Sequence, residues 1–415
     1  IAAAHQLRLQ HGKHRAACKQ AVQLGIGDLV VVGVGVLAVC VSGVIDLIHI
    51  GIRSGLPCSD PHLSGVALKS VVPDSRANVV DLQRDADGGK RLRSSDCAPQ
   101  ALIQAMNVEA MCSTDDPADT LAYHEELAKS PLAGRVRPTF RPDNAMNIQR
   151  PSWNAYVERL GEHWDREVDT LDDFLDILSK AHDAMGRLGA VASDHGVLTP
   201  STLSPSRERA SELFLRARQG DILADGEAEE FRGFFLNEMA ELDAKKGWVF
   251  QIHYGAVRDV RDSLYKALGP DVGGDISDHA VDAVQPLLPL LNRFDGRLKV
   301  VLYNMNPAHN ATLAMLTRAF GGNVCLGPAW WLNDSYIGIR NQLELGASID
   351  LLSNMTGMVS DSRKILSYGS RFDVYRRTLA GVLGDMADRN QMSRATAVKL
   401  ARRLAYDRPK EFFGF

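Results

Sequence analysis

The chain has 415 residues, enough for one large α/β domain with insertions or for two or three smaller domains. Its net charge of −4 excludes a general affinity for nucleic acid, which requires a basic face. Six cysteines are scattered without a CxxC pair, a pattern that indicates a reducing compartment and predicts a cytoplasmic location.

The first hundred residues differ in composition from the rest of the chain. They contain no aromatic residue, no Met and no Glu. Their longest apolar run, residues 29–45, is at the short limit for a membrane span, and its Val and Gly content suits a strand pair at least as well. No membrane association is predicted. We interpret residues 1–100 as an atypical N-terminal segment, with the hypothesis that much of it is a wrong-frame or mis-joined translation. Tryptic peptides of this segment in the natural protein would contradict that hypothesis.

Beyond residue 100, short β-branched runs alternate with helical patterns. Helices are predicted at 117–130, 210–220 and 227–247. This alternation is typical of βαβ units and a parallel sheet. The interval between the second and third strands is too long for one crossover helix, which predicts a helical insertion at about 150–188. The predicted strands lie at 108–116, 134–140, 189–196, 248–255, 298–306, 323–331 and 355–363.

Seven strand–helix units are one short of a (β/α)8 TIM barrel, so residues 101–415 are predicted to form a TIM-barrel-like α/β catalytic domain with an incomplete N-terminal part. Chemistry in such barrels lies at the C-terminal ends of the strands. Polar residues and a tryptophan follow these strands, where a packed sheet has no structural use for them. The residues are Thr114, Asp115, Arg141, Asp194, His195, His253, Asn304, Asn306, Trp330, Asp361 and Arg363.

Taken one at a time, these residues also have ordinary structural interpretations. The acid and arginine of MVSDSR (358–363) would form a surface ion pair, and His253 would be a hydrogen-bonded core histidine. Trp330 would be a core residue, and Trp331 should face the opposite side if both lie on a strand. His124 and His182 are predicted to be solvated. The convergence of several strand ends favours the functional interpretation.

Seven segments, in order and with consistent spacing, resemble the uronate (glucuronate) isomerase family of the amidohydrolase superfamily. The similarity runs from about residue 101 to residue 415. Its motifs are TFRPD (139–143), ASDHG (192–196), QIHYGAVR (251–258), LYNMNP (302–307), GPAWWLND (327–334), MVSDSRKILSY (358–368) and RPKEFFGF (408–415).

The resemblance implies a (β/α)8 barrel and an aldose–ketose isomerisation. The reaction interconverts D-glucuronate with D-fructuronate, and D-galacturonate with D-tagaturonate, through an enediol, and the partner it implies is a small uronate sugar. It implies that Asp361 is a metal ligand and proton-transfer group and that Arg363 polarises a substrate oxygen. Asp194 corresponds to the family's fourth-strand acid, and His253 to a catalytic or metal-binding histidine. Arg141 and Arg258 correspond to substrate-contacting cations, and Trp330 to the wall of the sugar pocket.

The sequence departs from the family at the first strand, where an HxH pair holds a divalent metal ion, usually zinc. Two-residue spacing lets both histidines reach one ion. No HxH occurs in this chain, and the nearest substitutes, DLIHIG (46–51) and SDPHLSG (59–65), carry only His49 and His62.

Two alternatives stay open at this point. One is a metal-dependent hydrolase on the same barrel, since fold does not fix function. Arg141, Arg258 and Arg363 suit an anionic sugar better than a scissile amide. The other is an inactive isomerase that lacks the HxH pair. The preferred uronate, the metal and the state of a homo-oligomer are left open.

Overall fold

The computed structural model describes residues 29–31, 38–41, 90 and 93–415, with the exception of 271, 279 and 363. The predicted site residue Arg363 and the histidines His49 and His62 therefore lie outside the described residues. The strands are β1 Leu29–Val31, β2 Ala38–Val41, β3 Met111–Cys112, β4 Val136–Arg137, β5 Ala192–Val197, β6 Val249–Tyr254, β7 Ala256–Val257, β8 Ile276–Ser277, β9 Lys299–Asn304, β10 Val324–Leu326 and β11 Met358–Val359.

Helices separate most of these strands. They are α1 Pro99–Ala105, α2 Ala122–Leu127, α3 Asp143–Met146, α4 Trp153–His163, α5 Leu171–Arg187, α6 Arg207–Arg218, α7 Asp225–Lys246, α8 Asp262–Leu268, α9 Leu288–Arg293, α10 Asn310–Phe320, α11 Tyr336–Ile349, α12 Ile365–Asp388, α13 Arg394–Arg402 and α14 Arg408–Phe413. Short 3-10 helices lie at Ser95–Cys97, Gln285–Leu287, Pro307–His309, Gly321–Asn323, Trp331–Asn333 and Leu352–Asn354, and a π-helix at Arg403–Asp407.

Six of the strands form a parallel arc in chain order. A four-stranded sheet has the order β10–β9–β6–β5, and β3 pairs with β4 in parallel. Single parallel bridges, Asp115 to Phe140 and Phe140 to Ser193, continue the arc from β3 and β4 to β5. Strands β6 and β9 are buried along almost their whole length, as expected of central parallel strands covered on both faces. The predicted positions of these strands are confirmed.

The seventh predicted strand, β11, differs from the prediction. It pairs in antiparallel fashion with β2, Met358 opposite Val39 and Val359 opposite Ala38, and forms no ladder with β10 in the described residues. The prediction that all seven strands are adjacent and parallel is therefore wrong for β11. An unpaired edge leaves backbone groups without partners, and the β1–β2 hairpin supplies those partners to β11. That hairpin confirms the strand pair predicted within residues 29–45.

The helical insertion at 150–188 contains α4 and α5, as predicted. Helix α7 ends at Gly247, whose φ of +68° is the left-handed conformation that closes a helix, and Lys245 and Lys246 occupy its last turn. The helix predicted at 117–130 is shorter, because the Asp116 carboxylate accepts from the Ala118 backbone N–H and holds a turn there instead. Within the described part of the chain, none of the helices has the length and apolar character needed to cross a membrane.

A fully buried polar network ties the insertion to the sheet. His182 of α5 and Ser193 of β5 both contact the Asp243 carboxylate of α7, at 2.9 Å from His182 Nε2 and 2.5 Å from Ser193 Oγ. Ser193 Oγ also lies 2.9 Å from Nε2 of His195. The prediction that His182 is solvated is wrong, since a buried carboxylate needs such partners. His124 is likewise buried, 3.1 Å from Asp115.

We expect Thr170→Ala to lower the free energy of unfolding by about 1 kcal/mol at neutral pH, because Thr170 caps α5. Hydrogen bonds from Thr170, and then from Arg166, lower the pKa of Asp173 to about 2. A lowered carboxyl pKa contributes stability above the unfolded value of about 4 that is lost as the pH falls towards 2. Denaturant unfolding should therefore show a smaller difference in the free energy of unfolding between the wild type and Thr170→Ala at pH 3 than at pH 7. Thr170→Ser, which keeps the hydroxyl, is the control, and an equal loss in both variants would contradict the cap.

Candidate active site

Three of the predicted site residues meet at the C-terminal ends of neighbouring strands. Asp194 lies in β5 and His253 in β6, and Arg141 directly follows the bridging residue Phe140. The Asp194 side chain is fully buried and His253 is 5% exposed, which leaves little water to screen their charges. The next residue, His195, points to the opposite side of the strand, where its ring stacks on Phe250. The sequence analysis predicted that Asp194 and His195 both belong to the site, but the structure directs their side chains to opposite sides of β5.

Arg141, His253 and Asp194 form a continuous hydrogen-bonded chain. Arg141 Nη2 lies 2.9 Å from His253 Nε2, and His253 Nδ1 lies 2.8 Å from Asp194 Oδ1. A guanidinium can only donate, so His253 Nε2 must accept. The His253 proton is therefore on Nδ1 and is donated to Asp194, which makes the imidazole neutral in this arrangement.

Asp143 fixes the position of the Arg141 guanidinium. Its Oδ2 accepts from Arg141 Nε at 2.8 Å, and its Oδ1 accepts from the Gly196 backbone N–H at 3.0 Å. The sequence analysis did not single out Asp143, although the residue lies in the quoted motif TFRPD. The signal was present there as a carboxylate two residues after an arginine.

Gly196 stands where a side chain would meet this cluster. A Cβ at this position would lie 2.6 Å from His253 Nε2, 2.9 Å from Asp143 Oδ2 and 3.0 Å from Arg141 Nη2. Real Cβ atoms do not approach that closely, so the close packing of the three side chains requires glycine here.

The carboxylates neutralise Arg141. Burial by itself would lower its pKa, but the charges of Asp143 and Asp194 outweigh burial and raise the pKa above the usual arginine value. Burial would raise the pKa of Asp194, yet His253 and then Arg141 lower it overall. With His253 neutral, Arg141 and the two carboxylates carry a combined charge of −1.

Asp361 lies in a second part of the same site. Its Oδ2 accepts from Trp330 Nε1 at 2.9 Å, and the Trp330 ring makes an edge contact with His253 at 5.1 Å between centroids. Burial raises the pKa of Asp361 and the charge of Asp194 raises it further, while the hydrogen bond from Trp330 and the charge of Arg141 act in the opposite direction. The site therefore holds two carboxylates whose pKa values are shifted in opposite directions, Asp194 down and Asp361 up, as acid–base sites often do.

The two tryptophans are not on a strand, because β10 ends at Leu326 and Trp331 begins a 3-10 helix. The expectation that they face opposite sides by strand alternation is therefore wrong, and their ring centroids lie 5.6 Å apart. Arg258 places its guanidinium 4.5 Å from the Trp331 ring centroid and 3.1 Å from Asp275 Oδ2. Arg258 lies outside the Arg141–His253–Asp194 chain.

A cavity of about 820 Å³ opens beside the hydrogen-bonded side chains of Arg141 and His253. Arg141, His253 and Arg258 line it together with Asp143 and Gly196. Two further arginines on its wall, Arg150 and Arg232, were not found by sequence reasoning. They lie outside the motifs, Arg150 in the loop before α4 and Arg232 on α7.

The described side chains do not fit a divalent metal ion. Both ring nitrogens of His253 are engaged, one by Arg141 and one by Asp194, and Asp361 Oδ2 accepts from Trp330. Across residues 93–415, apart from the three omitted positions, no group of three His, Cys, Asp or Glu side chains converges in a way that could hold an ion. A tight zinc site normally takes three or four protein ligands.

Comparison with known proteins gives a consistent result. The family model described as glucuronate isomerase matches residues 84–413. A uronate isomerase of Thermotoga maritima is 42% identical over 315 residues, 76% of this chain and 70% of that protein. A uronate isomerase of Caldicellulosiruptor saccharolyticus is 34% identical over 324 residues, with the same coverage of 76% and 70%.

Solved structures agree with the sequence comparisons. The crystal structure of the Thermotoga maritima uronate isomerase superposes with a TM-score of 0.74 at 42% identity, over 76% of this chain and 70% of that one. The glucuronate isomerase of Caulobacter crescentus gives a TM-score of 0.74 at 30% identity, over 78% and 68%. A putative metal-dependent hydrolase of Lactobacillus casei, 13% identical with a TM-score of 0.53 and coverage of 76% of each chain, shares the fold alone.

Proposed function

The chain belongs to the glucuronate isomerase family, and from this premise we propose that it interconverts D-glucuronate with D-fructuronate and D-galacturonate with D-tagaturonate. The resemblance stated from the motifs is thereby confirmed, and the fold is the amidohydrolase-type α/β barrel of the family. The hydrolase alternative has no support among the relatives above 25% identity. The division of the chain at residue 100 stays a prediction, and the family match begins earlier, at residue 84.

One combination of features in the described residues supports this reaction. The site holds a largely buried carboxyl group, that of Asp361, together with an arginine donor, Arg141, that is fixed by its hydrogen bonds. Aldose–ketose isomerisation moves a proton between C2 and C1, so it needs a group that takes and returns a proton and donors for the enediolate oxygen. Asp361, whose pKa burial raises, suits the proton transfer. Arg141, held by Asp143 and His253, suits donation to a substrate oxygen.

The other predicted roles remain part of the proposal. Asp194 keeps the proton of His253 on Nδ1, and His253 holds Arg141 in place through Nε2. Trp330 orients Asp361 through its hydrogen bond, and its ring is assigned to the apolar face of the sugar, although neither residue is among those that line the cavity; Arg258 does line it. Arg363, which the resemblance pairs with Asp361, lies outside the described residues.

A divalent metal ion, with zinc as the ion that the resemblance implies, would need ligands in addition to Asp361. The described residues do not supply them, and we derive no step through a metal. Metal analysis of the purified protein beside its activity would show whether an ion accompanies turnover. The cytoplasmic location and the homo-oligomer remain predictions.

The proposed reaction is tested by incubating the protein with D-glucuronate in D2O and following the sugar by NMR. We expect D-fructuronate to form with solvent deuterium at C1, because a carboxyl group that carries the proton exchanges it with solvent. Formation of ketose without any deuterium would contradict proton transfer through Asp361. Absence of ketose from both glucuronate and galacturonate would contradict the function itself and favour the inactive alternative.

A further inference from the structure

Two loops of the site each contain a residue in the left-handed backbone conformation. Asp361, shortly after β11, has a φ of +42°, and Trp331, in the loop after β10, has a φ of +52°. Residues other than glycine rarely adopt this conformation, and a bulky tryptophan in it is an outlier. Such a backbone persists only where the surrounding structure holds it, so contacts from other elements must fix both loops.

Arg371 of α12 contacts both loops. Its Nη1 donates to the backbone carbonyl oxygen of Ser360, the residue directly before Asp361. Its Nη2 lies 2.9 Å from Oδ2 of Asp334, the residue that follows the 3-10 helix Trp331–Asn333. We call these two contacts the Arg371 clamp. Arg371 is not among the side chains that line the cavity, so the clamp acts on the loops and not on a ligand.

The same two loops are joined a second time inside the site. Trp330 Nε1 donates to Asp361 Oδ2 at 2.9 Å, and the Trp330 ring makes an edge contact with His253. This hydrogen bond and the clamp close a ring of contacts, so a shift of either loop moves the Asp361 carboxyl group relative to His253. The ring runs through Arg371, Ser360, Asp361, Trp330 and Asp334.

The loop at the Asp334 end of the clamp is itself anchored to the barrel. Asn333 Nδ2 donates to the Met305 carbonyl oxygen, directly after β9, at 2.6 Å. Helix α11 packs against the same turn at Gly338, where a Cβ would collide with the Asn333 carbonyl oxygen. The clamp therefore ties the loop of Asp361 to a fixed point and not to a second loose loop.

The charge of Arg371 also compensates the Asp334 carboxylate. The Asp334 side chain is 15% exposed, and burial raises its pKa. The charge of Arg371 acts in the opposite direction, while the charge of Asp361 raises the pKa of Asp334 further. The clamp thus places a cation beside a carboxylate that would otherwise repel Asp361.

We propose that Arg371 is a positioning residue for the proton transfer, and that its clamp holds the Asp361 carboxyl group in the orientation that the reacting carbons need. A guanidinium suits this role because it donates from separate nitrogens in one rigid plane. Lysine carries the same charge on a single nitrogen and lacks that fork. This inference rests on the proposed function in taking Asp361 as the group that carries the proton.

The first test compares the wild type with Arg371→Lys by steady-state kinetics on D-glucuronate. We expect kcat to fall by about tenfold to a hundredfold with little change in KM, because a displaced proton-transfer group slows the reaction without removing a substrate contact. Arg377→Lys is the matched control, since Arg377 lies on the same helix and pairs with Asp373 at its exposed surface. It should keep the wild-type kcat. An unchanged kcat in Arg371→Lys, or a loss confined to KM, would overturn the inference.

A second variant breaks the clamp from its other end. Asp334→Ala removes the carboxylate that Arg371 contacts, and it should lower kcat in the same way. The double variant Arg371→Lys/Asp334→Ala should then be hardly slower than the slower single variant, because residues that act as a unit give non-additive effects. Losses that multiply in the double variant would show that the two residues act independently, which contradicts the clamp.

Hydrogen exchange followed by mass spectrometry separates failure of this inference from failure of the proposed function. Peptides that cover residues 330–334 and 358–362 should exchange faster in Arg371→Lys than in the wild type, and peptides of β5 and β6 should not, since only the two loops lose a contact. Arg377→Lys should match the wild type throughout. Faster exchange confined to the two loops supports the clamp even if the wild type isomerises no uronate, and unchanged exchange there would overturn it.

Discussion

Gly196→Ala is expected to lower kcat/KM for the uronate by about a hundredfold, the cost typical of moving catalytic groups by about 1 Å. The added methyl group would stand 2.6 Å from His253 Nε2 and 3.0 Å from Arg141 Nη2, where the hydrogen bond between them lies. The φ angle of Gly196 is not in the left-handed region, so alanine strains no backbone, and the effect comes from crowding alone. The His253 ring or the Arg141 guanidinium must move, and their bond must lengthen or break.

The measurement is steady-state kinetics beside thermal unfolding. Gly384→Ala is the matched control, because a Cβ at Gly384 of α12 meets nothing within 4 Å. That control should keep full activity and gain up to about 1 kcal/mol of stability from the better helix propensity of alanine. Full activity of Gly196→Ala would show that the Arg141–His253 bond is not needed for turnover.

The strands were predictable because each one is a local pattern. A β-branched run such as WVFQIHYG predicts a buried strand from its own residues, and β6 occupies Val249–Tyr254 within it. The C-terminal parts of neighbouring parallel strands are brought together by the fold, which is why Arg141, Asp194 and His253 could be expected to meet. The partner of β11 was not predictable, because antiparallel pairing with β2 joins segments more than 300 residues apart.

The partners of polar groups were harder to predict than their positions. His182 lies in a helix pattern like that of any exposed histidine, and only folding brings it to Asp243, 61 residues later. Arg150 and Arg232 belong to no motif, and the wall they share exists only once α7 packs beside the loop after α3. Asp143 was the exception, since its link to Arg141 spans two residues and could have been read from the sequence.

Asp361→Asn is expected to lower kcat by about a thousandfold, within the range that general acid–base catalysis contributes. Asparagine cannot carry the proton between C2 and C1, but its side-chain oxygen can still accept from Trp330 Nε1, as Asp361 Oδ2 does at 2.9 Å. The backbone is also preserved, because Asp361 has a φ of +42°, a left-handed conformation that Asn tolerates at least as well as Asp. The binding of L-gulonate, which keeps the carboxylate but has an alcohol in place of the aldehyde, and the thermal midpoint should therefore change little.

Asp361→Ala is the informative comparison. Alanine removes the carboxylate, leaves the buried Trp330 Nε1 without its acceptor and is disfavoured at a positive φ. Its thermal midpoint should fall below those of the wild type and of Asp361→Asn, although both variants lose turnover. Activity retained by Asp361→Asn would remove Asp361 from the proton transfer. Only the alanine variant breaks the contact with Trp330, so only that variant should be destabilised. If both variants were destabilised equally, the loss of turnover would be explained by a less stable site and not by the loss of proton transfer.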